Sequence, residues 1–187
     1  EGAQHSIITD NDFALFSGTS ASINTLLFQN NVTWSAQLAA QTGCLPAVPA
    51  GDTHFYLLAM GGGGQEEVMG SIDGKNITTF SGVLVSNNLV SSLSGYNASA
   101  VSSGSYNASL ANVQAAFAGS TFQAPSLGCY YVCTNYGTFA NRQSFVFDLY
   151  MAHIYAFKVP GPLPVAGLLA GLSCSRKIRQ RIRLRRS

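Results

Sequence analysis

The alternation of apolar and polar side chains sorts much of the first 158 residues into strands. The clearest run is 143–159. Phe145, Phe147, Leu149, Met151, Tyr155 and Phe157 fall on one face with His153 in register, and Ser144, Val146, Asp148, Tyr150, Ala152, Ile154 and Ala156 fall on the other. Period two marks a strand, because successive side chains leave opposite faces of the pleat. The second face is mixed rather than polar, which predicts a strand lying between layers. Residues 53–60 read as another strand, closed by the run Gly61, Gly62, Gly63 and Gly64. Residues 67–72 and 75–80 flank Asp73 and Gly74. An Asp-Gly pair between two such runs predicts a tight hairpin, because both turn residues need φ > 0. Weaker strand signals cover 82–86, 5–9 and 13–16.

Two stretches carry helical spacing. Ser109 is placed to cap 110–118, with Leu110, Val113 and Phe117 on one face and Gly119 as the stop. Residues 23–40 space Leu27, Trp34 and Leu38 helically, interrupted at Asn30, Asn31, Val32 and Thr33. Residues 91–109 are so rich in Ser, Gly and Asn that a surface loop is expected. The predicted fold class is mainly β: a β-sandwich-like or mixed sheet domain with one or two short helices over 1–158. A C-terminal hydrophobic and basic segment, 159–187, follows it.

Composition changes the picture at the C-terminus. Charged residues are 10% of the 187-residue chain and the formal net charge is +2, far from the ~25% charge of an average soluble protein. That excludes a coiled coil, a charged disordered chain and a charge-rich cytosolic enzyme. The +2 conceals a split. Residues 1–175 hold 3 basic and 8 acidic residues, a formal charge of −5, while Arg176, Lys177, Arg179, Arg181, Arg183, Arg185 and Arg186 crowd the last twelve positions. The chain opens on Glu1 without a positively charged start and apolar run, so any export signal is expected to have been removed.

Ahead of the basic cluster lie Val159, Pro160, Gly161, Pro162, Leu163 and Pro164, then an apolar stretch to Ser175; residues 159–175 are 17 uncharged positions. This is the lower edge of a bilayer span, with the basic block on the cytoplasmic side. Proline-rich motif, short apolar helix and basic tail resemble the tripartite PEP-CTERM sorting signal, in the variant common in cyanobacterial members. Gly161 stands where the usual glutamate separates the prolines. The resemblance covers 159–187 and implies an exported protein, transiently held in the inner membrane. An exosortase-like protease would process the tail, in a host that makes exopolysaccharide. An ordinary type I anchor shares this polarity. Both place 1–158 outside the cytoplasm. A basic arm also suits nucleic acid, but such arms usually accompany basic domains and this one is acidic, so no nucleic-acid partner is expected.

The inventory for chemistry is thin. His5, His54 and His153 lack a zincin motif, and no Gly-x-Ser-x-Gly elbow occurs. The glycine run lacks the residues of a phosphate loop. Adjacent Glu66 and Glu67 point to opposite faces of a strand and make a poor acid–base pair. Asp10, Asn11 and Asp12 offer oxygen ligands without an EF-hand pattern, and a polar turn is expected. No enzyme, cofactor or metal is expected. Cys174 lies in the apolar tail, leaving Cys44, Cys129 and Cys133 as disulfide candidates: Cys129 and Cys133 could close a small loop, and Cys44 joined to Cys129 or Cys133 is preferred because the longer loop stabilises more. Asn31, Asn76, Asn97 and Asn107 head glycosylation sequons. The expected function is an exported cell-surface or extracellular-matrix structural protein, a homo-oligomer or polymer whose sheet edges self-associate into filaments or a sheath. The alternatives are a membrane-anchored protein of unknown activity and a carbohydrate-binding module. In the latter, Trp34, Tyr96, Tyr106, Tyr130, Tyr131 and Tyr136 would stack on sugars such as exopolysaccharide.

Overall fold

The computed structural model describes residues 3–36, 40–63, 66–130, 143–147 and 151–158. In chain order the strands are β1 (Gln4–Thr9), β2 (Asp12–Thr19), β3 (Ser22–Gln29), β4 (Gln41–Cys44), β5 (His54–Met60), β6 (Glu66–Ile72), β7 (Lys75–Asn76) and β8 (Leu84–Ser86). Helices α1 (Ala98–Ser102) and α2 (Leu110–Ala118) come next, then β9 (Phe122–Gln123), β10 (Leu127–Gly128), β11 (Ser144–Phe147) and β12 (Ala152–Lys158). They form two antiparallel sheets. The first runs β10-β11-β6-β1-β4, with β7 paired to β6, and the second runs β3-β2-β5-β12-β8-β9.

The sheets pack face to face as a sandwich. Ile7, Val68, Ile72 and Phe145 of the first sheet meet Phe13, Leu15, Leu57, Tyr155 and Phe157 of the second in one buried cluster. A second cluster covers the far face of the second sheet, where Ala14, Phe16, Tyr56, Leu58 and Ile154 lie under Leu89, Leu93, Val101, Tyr106 and Val113. The second sheet is therefore buried on both faces, which is why β5 reads Phe-Tyr-Leu-Leu-Ala-Met with no polar break.

The long alternating run divides in two. β11 pairs with β6 in the first sheet, and β12 pairs with β5 and β8 in the second. The chain crosses the sandwich between them, so the apolar face of one sequence pattern packs against itself. Phe145 stacks on Tyr155 with ring centroids 4.6 Å apart and lies 6.1 Å from Phe157.

Local signals fare as the turn chemistry dictates. Asp73 and Gly74 adopt φ of 51° and 74° between β6 and β7. α2 starts at the Ser109 cap, whose hydroxyl accepts the Asn112 N–H, and ends at Gly119. The helical reading of 23–40 is corrected over its first part: Ser22–Gln29 is an edge strand on β2. Pairing with a neighbour overrides the spacing, since Ile23 joins the helix-side cluster and Leu27 the sandwich core. The loop reading of 91–109 is corrected too. This segment contains α1 and buries Leu93, Val101, Tyr106 and Ala108 over the second sheet.

Candidate functional site

A cleft of about 290 Å³ lies where β8 and β9 of the second sheet meet the β10–β11 corner of the first. Its floor holds Phe147 and Tyr155, and its walls hold Gln123, Ser126, Tyr130 and His153. Asp, Glu, Lys and Arg are absent among the described lining residues. Tyr130, 37% exposed, is the one tyrosine among the described lining residues besides the buried Tyr155. His153 packs edge-on to Phe147, with centroids 5.5 Å apart, and its Nδ1 lies 2.8 Å from the Ser86 carbonyl. A carbonyl only accepts, so Nδ1 carries the hydrogen and Nε2 of the neutral ring is an acceptor. Ser86 itself serves the sheet: its hydroxyl donates to the Asn87 carbonyl and accepts the Ile154 N–H.

Behind Tyr130 stands Glu67, fully buried on β6. Its Oε2 accepts the Ser144 hydroxyl at 2.6 Å and the Tyr130 N–H at 3.0 Å. Near the β1–β2 crossing the Asp10 N–H donates to the Glu67 carbonyl at 3.0 Å. Burial, and then the Glu67 charge, raise the Asp10 carboxyl to about 6. Burial raises Asp12 to about 7, against the Val32 backbone hydrogen bond. Asp10, Asp12 and Glu67 do not line the cleft, so this carboxylate group is separate from it. No set of three or more His, Cys, Asp or Glu among the described residues is placed to hold a metal ion.

The aromatic candidates separate. Tyr130 lies on the cleft. Tyr96 and Tyr106 instead pack edge to face at 5.6 Å, with the Tyr96 hydroxyl donating to the Gly61 carbonyl and Tyr106 only 5% exposed. These two are therefore corrected from sugar platforms to struts holding the helix layer on the second sheet. Tyr131, Tyr136, Cys133 and the side chain of Trp34 lie outside the described residues. So do the sorting motif and the basic cluster, 159–187.

The sequon asparagines all serve local structure. Asn97 caps α1, Asn76 caps the 3-10 turn Ile77–Thr79, and the Asn31 side-chain amide donates to the Asn107 carbonyl oxygen. Cys44 and Cys129 are both disulfide-bonded, and the described residues hold no free cysteine. Cys44 ends edge strand β4 and Cys129 follows β10 at the opposite edge. Four strand spacings set them roughly 19 Å apart, and a disulfide needs Cα atoms within about 7 Å. The direct Cys44–Cys129 pairing is thus corrected by the sheet order.

Sequence reasoning missed Glu67 as a partner of Tyr130. Its only signal was a carboxylate inside an apolar strand pattern. Comparison of the chain with family models, with curated proteins and with solved structures found no match.

Proposed function

We propose that the chain is an exported cell-surface or extracellular-matrix protein whose sandwich binds neutral glycans in the cleft. The observation that carries this reading is the lining itself: a partly exposed tyrosine, exposed amide and hydroxyl groups and an imidazole, with no Asp, Glu, Lys or Arg among the described lining residues. Sugars present apolar C–H faces that pack on aromatic rings and hydroxyls that exchange hydrogen bonds with Gln, Ser and His. A lining without Asp, Glu, Lys or Arg among its described residues favours neutral sugars, since an unpaired uronate or phosphate would lose hydration without a partner.

The C-terminal segment, by its resemblance to a PEP-CTERM signal, would deliver the protein through the inner membrane to an exosortase-like protease. Self-association through sheet edges has less support. The pairing of edge strand β3 slips twice, between Leu15 and Phe16 and between Ser17 and Gly18, and bulges of this kind blunt an edge. The β9 and β10 edges are two residues long.

A glycan array followed by calorimetry tests the reading. Neutral glycans are expected to bind and Tyr130→Ala to weaken them about tenfold, the equivalent of roughly 1.4 kcal/mol. Silence across the array, or equal binding by the Tyr130→Ala protein, removes the proposal.

A further inference from the structure

Glu67 is a fully buried carboxylate in a strand whose neighbour Val68 faces the sandwich core. Alternation sends the Glu67 side chain to the other face of the first sheet. There it meets two donors from two different segments: the hydroxyl of Ser144 at 2.6 Å, on β11, and the backbone N–H of Tyr130 at 3.0 Å, just beyond β10. Ser144 pairs with Gly128 in the β10–β11 ladder, and its hydroxyl also lies 3.2 Å from the Gly128 carbonyl. The β10–β11 ladder is two residues long, and the disulfide-bonded Cys129 stands between it and Tyr130. A buried acceptor leaves its donors with no water to turn to.

We infer that Glu67 is the positioning residue of the cleft: by gripping the Tyr130 N–H and the Ser144 hydroxyl, it fixes the backbone from which the Tyr130 ring projects. It acts from behind the wall and touches no ligand. The inference rests on the glycan-binding reading for its consequence, but its physical content, a restrained Tyr130 amide, does not need a ligand.

The test uses the full chain with its disulfides intact and compares Glu67→Gln, Glu67→Ala and Ser144→Ala. Hydrogen exchange at the Tyr130 amide is the first readout and glycan affinity the second. Glu67→Gln keeps an acceptor for the amide, while its NH2 group can donate to the Ser144 hydroxyl as that hydroxyl turns to the Gly128 carbonyl. Exchange is expected to stay within about threefold of wild type in Glu67→Gln and to rise at least about tenfold in Glu67→Ala. Affinity should follow the same order, with Ser144→Ala between them. Should Glu67→Ala fail to fold, Glu67→Met, which fills the same space without an oxygen acceptor, carries the comparison: a Tyr130 amide exchanging in it as in wild type overturns the positioning role. Unchanged exchange in a folded Glu67→Ala protein overturns it as well. A wild type that binds no glycan, with exchange still responding to Glu67→Ala, overturns the glycan reading alone.

Discussion

Three buried ionisable side chains give the molecule opposing pH responses. His5 lies between Phe13 and Phe28, its centroid 4.3 Å from the Phe28 ring, and burial lowers its pKa to about 4. The unfolded chain binds this proton near pH 6.5 and the folded chain resists it, so His5 removes stability as pH falls from about 6.5 to 4. Asp10 and Asp12 act in the other direction, with pKa values raised to about 6 and about 7. The stability they contribute is complete below the ordinary carboxylate pKa and lost as pH rises through those values. Two carboxyls outweigh one imidazole, so the melting temperature is expected to fall between pH 4.5 and 7. Asp12→Asn, which mimics the protonated carboxyl, should raise the melting temperature at pH 8 and change it little at pH 4. A wild-type melting curve flat in pH would contradict this balance. A second residue-scale consequence falls on Gly70. Its φ is +148°, and a Cβ there would stand 2.3 Å from the Ser6 carbonyl oxygen and 2.8 Å from the Ile7 Cα, both on the paired strand. Gly70→Ala is expected to cost several kcal/mol in chemical denaturation, since backbone cannot yield as a side chain can. Neither effect was legible in the sequence: burial of His5 and Asp12 depends on which strands flank them, and Gly70 depends on the approach of β1.

The elements divide by the range of the forces that make them. α2 was legible from end to end because its signals are local: the Ser109 cap, the Leu110–Phe117 face and the Gly119 stop. Ser109→Ala is expected to destabilise the protein by about 1 kcal/mol, measured by urea denaturation, because the Asn112 N–H loses its acceptor. The Asp73–Gly74 turn was legible for the same reason. β3 was misread as helix because its residues satisfy both periods, and pairing with β2 chooses between them. The break between β11 and β12 was hidden because both halves turn their apolar residues to the same core, so no change of pattern marks the crossing. Of the candidate tyrosines, Tyr130 lines the cleft, while Tyr96 and Tyr106 show that a loop-like composition can conceal a packed layer.

At the scale of the molecule, two features of the sequence meet. Residues 1–175 carry little charge, and the described cleft walls carry none. The basic residues are concentrated after Ser175, the asymmetry on which the proposed sorting role rests. No helix among the described residues is long and apolar enough to cross a membrane. If the tail is a sorting signal, intact mass of the protein from its native host is expected to show loss of the chain beyond the proline motif; a mature surface protein retaining Arg176–Arg186 would oppose processing. The central proposal is more local: that the cleft between the sheet edges binds neutral glycans. Its most direct measurement is an NMR titration of the isotopically labelled protein with the best-binding neutral glycan. Shifts concentrated at Gln123, Ser126, Tyr130 and His153, saturating with ligand and absent with a charged uronate oligomer, are the expected result. Shifts elsewhere on the surface, or none at concentrations up to the millimolar range, would contradict it.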